Sequence, residues 1–393
     1  MNIRGEHEER TLAQIHRCAE DERAVAFALC ADGHLGYNMP IGGVIAYKDA
    51  VSPDGVGFDI ACGNKAVRLD VKAGDIAGDL KKLANAIWRS LSFGVGRINY
   101  EQVDHEVLDD PAWDEVPLLQ DWSLRRKARE QLGTIGSGNH YVDVFRDEND
   151  NVWVGVHFGS RGLGHNIATE YINRAGGNPN SGMERHPCVL SLETETGQEY
   201  LEAMRLAGLY AYAGRDWVCE KVAKIIGAPI VEEVHNHHNF AWKETHFGED
   251  VWVVRKGATP CAPGQRGFVG GSMGSVSYIL EGVESPGNQQ LLRSTVHGAG
   301  RVVSRTAAAG KSRWKGGRKI RISEGLVDME KVRERLRNDG IILRGAGADE
   351  APEVYRQLTD VVAAHGDTVK VIRTLHPLIV CMASEDEIDP YKD

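Results

Sequence analysis

Six short runs, "GGVIAY", "NVWVGVHF", "APIVEEVH", "EDVWVVRKG", "SVSYIL" and "VKVIRTLHPLIVCM", carry the β-branched and aromatic residues of buried strands. Many of them stop at Gly, His or Asn, so polar residues gather where the strands end. Helical periodicity is clearest from Glu199 to Ile226, where apolar residues recur at three and four, and again near Val327 to Leu336. Both helical stretches read as scaffold. Strands and helices mix without regular βαβ alternation, which predicts an α+β or irregular α/β fold on a central mixed sheet system. No fixed-period repeat, low-complexity linker or long like-charge block divides the 393 residues, so the chain is read as one unit.

Composition narrows the function classes. Hydrophobic residues make up 42% and charged residues 26%, a soluble globular balance, and no apolar run approaches the roughly 18 residues of a membrane span. The opening "MNIRGEHEERTLAQIHRCAEDERAVAF" has no apolar signal-peptide core, so a cytoplasmic location is expected. Seven cysteines without CxxC pairing fit free thiols in a reducing compartment, which leaves any special cysteine as a ligand or a nucleophile. The net charge of −10 argues against indiscriminate polyanion binding but not against a local basic groove. "SLRRKAR" and "KSRWKGGRKIR" are concentrated basic patches, the second with Trp314 available for stacking; each also reads as a solvated helix face or a surface hairpin.

The stretch "VSPDGVGFDIACGNK" puts Asp59 and Cys62 on a glycine-rich turn, three residues apart. A carboxylate and a thiolate so spaced can reach one cation; equally, Cys62 can be a small buried residue beside a turn-closing aspartate. Five further segments set His34, His140, His157 and His165, His235 with His237 and His238, and His297 beside Gly, Asn or another His. One such histidine is usually structural. Several on glycine-rich strand ends, together with Asp59 and Cys62, point to one polar metal-binding cleft. Imidazole, carboxylate and a single thiolate suit a borderline divalent ion such as Mn, Zn, Fe or Co.

The motifs "DGHLGYNMPIGGVIA", "PDGVGFDIACG", "LGTIGSGNHYVDV", "VHFGSRGLGH", "HHNFAWKETHFGEDVWVVRKGA", "GGSMGSVSYIL", "HGAGRVVSR" and "DEAPEVYRQLTDVV" resemble, in order, those of the RtcB family of GTP-dependent RNA ligases, over about residues 25 to 382. The resemblance implies an α+β fold of that type, one catalytic domain over residues 1–393 with its active site in a central cleft, and two Mn ions. Their implied ligands are Asp59, Cys62, His140, His157 and His238, with Cys62 as the bridge. It implies His297 as the nucleophile that takes GMP from GTP. Arg161, Arg301 and Arg305 fall where relatives meet RNA phosphates, and Asn139, Gly271, Ser272, Ser277, Ala299 and Tyr355 where they meet the guanine nucleotide. The implied reaction joins an RNA 3′-phosphate or 2′,3′-cyclic phosphate to a 5′-hydroxyl, in RNA repair or tRNA splicing, by a monomer with room for an archease-like activator.

Two positions depart from the family pattern. Met382 stands where a lysine that touches the guanylate is usual, with Lys392 ten residues on, and Asp143 replaces a glutamate that reads the guanine edge. Both changes bear on how strictly GTP is preferred. A divergent bacterial paralogue with end-processing activity or altered nucleotide use, a non-catalytic RNA-binding protein, and a metal hydrolase unrelated to RNA are the alternative readings.

Overall fold

The structure, a computed structural model, describes residues 2–179, 185–315 and 318–385, with the side chains of 314–321 outside that set. It has the expected α+β character. The larger sheet runs in the order Arg266–Val269, Ser277–Gly282, Val369–Ser384, Tyr141–Arg146, Asn151–Phe158, Gly63–Lys72 and Ile230–His237, with Ile342–Ala346 beside the second half of Val369–Ser384. Its two ends curl toward each other, since the Phe268 N–H donates to Asn236 Oδ1 at 3.1 Å. A second sheet has the order Ala24–His34, Ile41–Tyr47, Glu249–Lys256, Asn239–His246.

All six runs read as strands from the sequence lie in these two sheets. "NVWVGVHF" is buried on both faces, which is why it reads as a continuous apolar run rather than an alternating one. Val152, Val154, Val156 and Phe158 pack with Val218, Cys219 and Val222 of the long helix, while Trp153 joins Phe145 and Phe268 on the opposite side. The long helix spans Glu195–Ile226 and so begins four residues earlier than the periodicity indicates. Thr194 sets that start by accepting the Gly197 N–H on its side chain, and Gly227, left-handed at φ 84°, ends it. The second expected helix is Met329–Asn338.

The two basic patches lie on a helix and a hairpin. "SLRRKAR" lies on the helix Trp122–Gln131, where Arg125 pairs with Asp114 and Arg129 with Asp109. In "KSRWKGGRKIR", Ser312–Lys315 and Arg318–Arg321 form an antiparallel hairpin. The stacking expected of the Trp314 side chain and the return of Lys392 fall outside the described residues. Among the described residues, no helix is long and apolar enough to cross a membrane.

The order of strands decides where the chemistry sits. Gly63–Lys72 runs antiparallel to both neighbours, so its first residue lies opposite Phe158 and His237, while Tyr141 lies opposite His157. Four strand ends therefore meet at one edge. There the chain also passes at His238 from the larger sheet into the smaller one.

Candidate active site

Cys62 enters this edge on a tight turn: its N–H donates to the Asp59 carbonyl at 3.0 Å, and Ala61 between them is left-handed at φ 60°. Gly159 passes so near that a Cβ there would fall 2.3 Å from Asp59 Oδ1. The Cys62 sulfur lies 3.3 Å from His157 Nε2 and 3.5 Å from His140 Nε2, and His157 Nε2 lies 3.3 Å from His238 Nε2. His140 Nε2 is in turn 3.0 Å from Asp59 Oδ2. Two donor groups result, Asp59–Cys62–His140 and Cys62–His157–His238, and Cys62 belongs to both.

Outer hydrogen bonds fix how these rings face. His157 Nδ1–H donates to the Asn139 carbonyl and His140 Nδ1–H to the Ile135 carbonyl, both at 3.0 Å. The longer 3.4 Å approach of Arg161 to His140 Nδ1 does not compete with that tautomer. Each Nε2 is then a bare lone pair; the single Cys62 thiol proton can satisfy only one of them, and the rest face a carboxylate oxygen or a second imidazole. Such a set is unfavourable until a cation enters it, so the donors fit divalent metal.

The electrostatics agree. Burial, reinforced by neighbouring histidines, holds His157 and His238 well below the usual imidazole range, so both rings are neutral. Burial would raise Asp59, but His140, when a proton occupies its Nε2 in place of a metal, and Arg161 outweigh it and bring the carboxyl to about 2. Burial and the Asp59 charge push the Cys62 thiol well above its ordinary value. A thiol in that position ionises when a metal takes the place of its proton.

His297 follows the strand Ser294–Val296, which pairs with Ala258–Pro260, and its ring centroid lies 4.8 Å from that of His238. Gly257, left-handed at φ 61°, makes this approach possible, because a Cβ would sit 3.1 Å from His297 Cε1 and 2.4 Å from Ile41. Asp32, fully buried at the end of Ala24–His34, was not singled out by the sequence reading. Its Oδ2 accepts three hydrogen bonds: His297 Nδ1–H at 2.7 Å, His297 N–H at 3.1 Å and Gly298 N–H at 3.3 Å. Burial would raise the Asp32 carboxyl, but His297 prevails and lowers it. An ionised Asp32 keeps the proton on Nδ1 and leaves an unprotonated lone pair on Nε2 of His297, the form a nucleophile requires.

The remaining expected residues divide into groups. Arg161 opens the helix Arg161–Arg174 at φ 56°, bonded to Thr134 Oγ1 and seated over Gly136. Arg305 lies over Gly138 and 3.5 Å from Glu350, so both guanidiniums flank the loop that carries Asn139 and His140. Arg301 is engaged internally, donating to the Asp349 carbonyl, Glu350 and the Tyr355 hydroxyl while lying 4.8 Å from the Tyr355 ring centroid. Ser277 Oγ accepts the Gly271 N–H, and Ser272 bonds Ser275, in a loop whose Gly270 touches Tyr141 and Gly298. Ala299 is buried in the core under Asp32's strand. Asp143 and Tyr141 are both buried, each with an oxygen that has no hydrogen-bond partner among the described residues, and Met382 lies opposite Tyr141 in an apolar cluster. The other motif histidines are structural in their contacts: His34 bonds the Asp32 carbonyl, His165 stacks on Phe58, and His235 and His237 accept from Arg215.

The family model described as tRNA-splicing ligase RtcB matches residues 14–383. RNA-splicing ligase RtcB of Escherichia coli (strain K12) is 35% identical over 382 residues, covering 90% of this chain and 89% of its own length. tRNA-splicing ligase RtcB of Thermococcus kodakarensis is 31% identical over 413 residues, covering 84% and 82%. That of Pyrobaculum aerophilum is 32% identical over 431 residues, covering 87% and 84%. With a family match over nearly its whole length and relatives of this identity, the chain belongs to the RtcB family.

Proposed function

We propose that this chain is a cytoplasmic, monomeric RNA ligase that joins an RNA 3′-phosphate or 2′,3′-cyclic phosphate end to a 5′-hydroxyl end, with two Mn ions and GTP. The observation that carries the reading is the pairing of a cysteine shared by two donor groups with a histidine whose Nδ1–H is held by a buried carboxylate. Family membership supports the RNA chemistry. Asp59, Cys62 and His140 would hold one ion, Cys62, His157 and His238 the other, and bound ions would neutralise the phosphate charge that builds up during displacement.

His297 Nε2 attacks the α-phosphorus of GTP, forming the N–P bond as pyrophosphate leaves, while Asp32 stabilises the positive ring. An oxygen of the RNA 3′-phosphate then attacks that phosphorus and releases the histidine, leaving GMP on the RNA. A cyclic end first adds water to open to the 3′-phosphate. The 5′-hydroxyl finally attacks the 3′-phosphate, a phosphodiester forms, and GMP departs. Arg161 and Arg305 are assigned to the RNA phosphates, whose paired oxygens suit the planar, forked guanidinium. Arg301 reaches the same region through Tyr355, so it is assigned to holding that tyrosine at the nucleotide, together with Asn139, Asp143, Gly271, Ser272, Ser277 and Ala299.

The test is ligation by the purified chain of RNA ends carrying 3′-phosphate and 5′-hydroxyl, with Mn and each nucleoside triphosphate in turn. Joined product with GTP supports the reading, and product without an archease-like activator shows that none is needed. Nucleotide-independent cleavage of phosphate from the 3′ end, with no joined product, would favour end processing instead. Arg161→Ala and Arg305→Ala should form the His297 adduct normally yet pass it to RNA about 10²-fold more slowly, the scale of losing one preorganised charged donor. Equal loss of both steps would move these arginines to the nucleotide.

A further inference from the structure

The long helix Glu195–Ile226 runs close behind the donor groups, and it comes near through small residues. A Cβ added at Gly208 would sit 2.9 Å from the Phe240 ring and one at Gly214 3.3 Å from the Phe158 ring, so the helix backbone passes close over both. From this helix Arg215 reaches inward and is completely buried. Among the described residues no carboxylate pairs directly with it. Its N–H groups go elsewhere.

Each partner belongs to a segment that presents a donor. Nη1 donates to the Ala61 carbonyl at 3.0 Å and to the Phe158 carbonyl at 2.6 Å, the residues next to Cys62 and His157. Nη2 donates at 2.8 Å to His237 Nδ1, next to His238. Nε donates at 2.8 Å to His235 Nε2, and the His235 Nδ1–H faces Asp216, which also binds Lys65. Tyr212, one turn back on the helix, stacks on His237 at 3.9 Å between centroids and adds a second hold on that strand end. A buried guanidinium costs much to desolvate, and a core built for packing alone would be served by an apolar side chain. Here the fork spans three chain ends from different parts of the sequence, a task for which lysine has no matching geometry.

We propose that Arg215 is a positioning residue for the metal centre: its guanidinium ties the Cys62 turn to the ends of the His157 and His238 strands and so sets the spacing of the donors they present. The inference rests on the reading of those donors as a metal site. Residues that orient ligands without touching the ion commonly govern affinity by about 10- to 100-fold.

The experiment uses the full chain stripped of metal, titrated calorimetrically with Mn and followed in parallel by the thiolate-to-cobalt absorption on Co addition. Arg215→Lys keeps the charge and loses the fork, and its Kd for Mn should rise about 10- to 100-fold, with a weaker absorption band per bound Co. Arg255→Lys is the control. Arg255 is equally buried, but it serves Glu244, Ser294 and the Leu292 carbonyl, none of them next to Asp59, Cys62, His140, His157 or His238, so that variant should lose thermal stability and keep the wild-type Kd. Wild-type Kd and absorption in Arg215→Lys would overturn the proposal, as would losses of affinity that are the same in both variants. Should Arg215→Lys fail to fold, His237→Phe removes the Nη2 acceptor but keeps the ring on Tyr212; a raised Kd supports the proposal and an unchanged Kd overturns it. Wild-type protein that takes up neither Mn nor Co would overturn the metal reading itself, a result distinct from any difference between variants.

Discussion

Cys62→Ala is expected to abolish metal binding at both donor groups and, with it, all nucleotidyl transfer. The sulfur is the one atom common to Asp59–Cys62–His140 and Cys62–His157–His238, so its removal leaves two protein ligands on each side. Two ligands on flexible water-filled coordination hold a divalent ion poorly, and the loss should exceed the roughly 10- to 100-fold typical of residues one layer further out. Cys30→Ala supplies the control, since Cys30 is equally buried but packs among Ala28, Val44 and Val296 in an apolar cluster. Elemental analysis checks the pair directly. Full metal content in Cys62→Ala would remove the cysteine from its shared role.

Asp32→Asn is the second large effect. Its carboxylate oxygen receives the His297 ring N–H and two backbone N–H groups, an arrangement that fixes the tautomer and favours the positively charged ring of a histidine joined to phosphorus. Asparagine is nearly isosteric, but its carbonyl carries no charge, and its amide can present N–H where only acceptors are wanted. In the analogous carboxylate–histidine pair of serine proteases this change lowers the rate by about 10⁴-fold, which sets the scale expected here for adduct formation. Metal content should stay as in the wild type, because Asp32 belongs to neither donor group. Rapid-mix kinetics of the adduct, read beside metal analysis, separate this variant from Cys62→Ala.

The two variants also mark what could and could not be read from the sequence. Asp59, Cys62, His140, His157, His238 and His297 stood out because each sits beside glycine or another polar residue at the end of an apolar run, and the fold brings all six to one edge. Asp32 carries the same local signature, yet in "DGHLG" attention falls on His34, whose ring only bonds a backbone carbonyl. What sets Asp32 apart is a partner 265 residues away, and no local periodicity reports that. Arg215 is hidden in the opposite way. It lies inside the clearest helical stretch of the chain, where an arginine reads as a solvated position on a scaffold helix, and only the packing of that helix against the sheet turns it inward.

The fold shows the same division. The apolar strands were legible because burial on both faces leaves little room for polar residues, whereas Gly63–Lys72, "GNKAVRLDVK", conceals a central strand behind two lysines, an arginine and an asparagine. Lys65 is tolerated there because Asp216 and Glu233 receive its ammonium. The helix Arg161–Arg174 was likewise unforeseen: it opens on a left-handed arginine and holds two glycines in its first turn, and the burial of Leu163, Ile167 and Tyr171 overrides that weak propensity.

In the proposed reaction His297 becomes covalently joined to a nucleotide. Intact-protein and peptide mass spectrometry after incubation of the metal-loaded chain with Mn and GTP tests it most directly. The expected result is a GMP adduct confined to the peptide containing His297, lost on addition of RNA 3′-phosphate. An unmodified His297 with Mn and every nucleoside triphosphate, in protein shown to carry its metal, would contradict it.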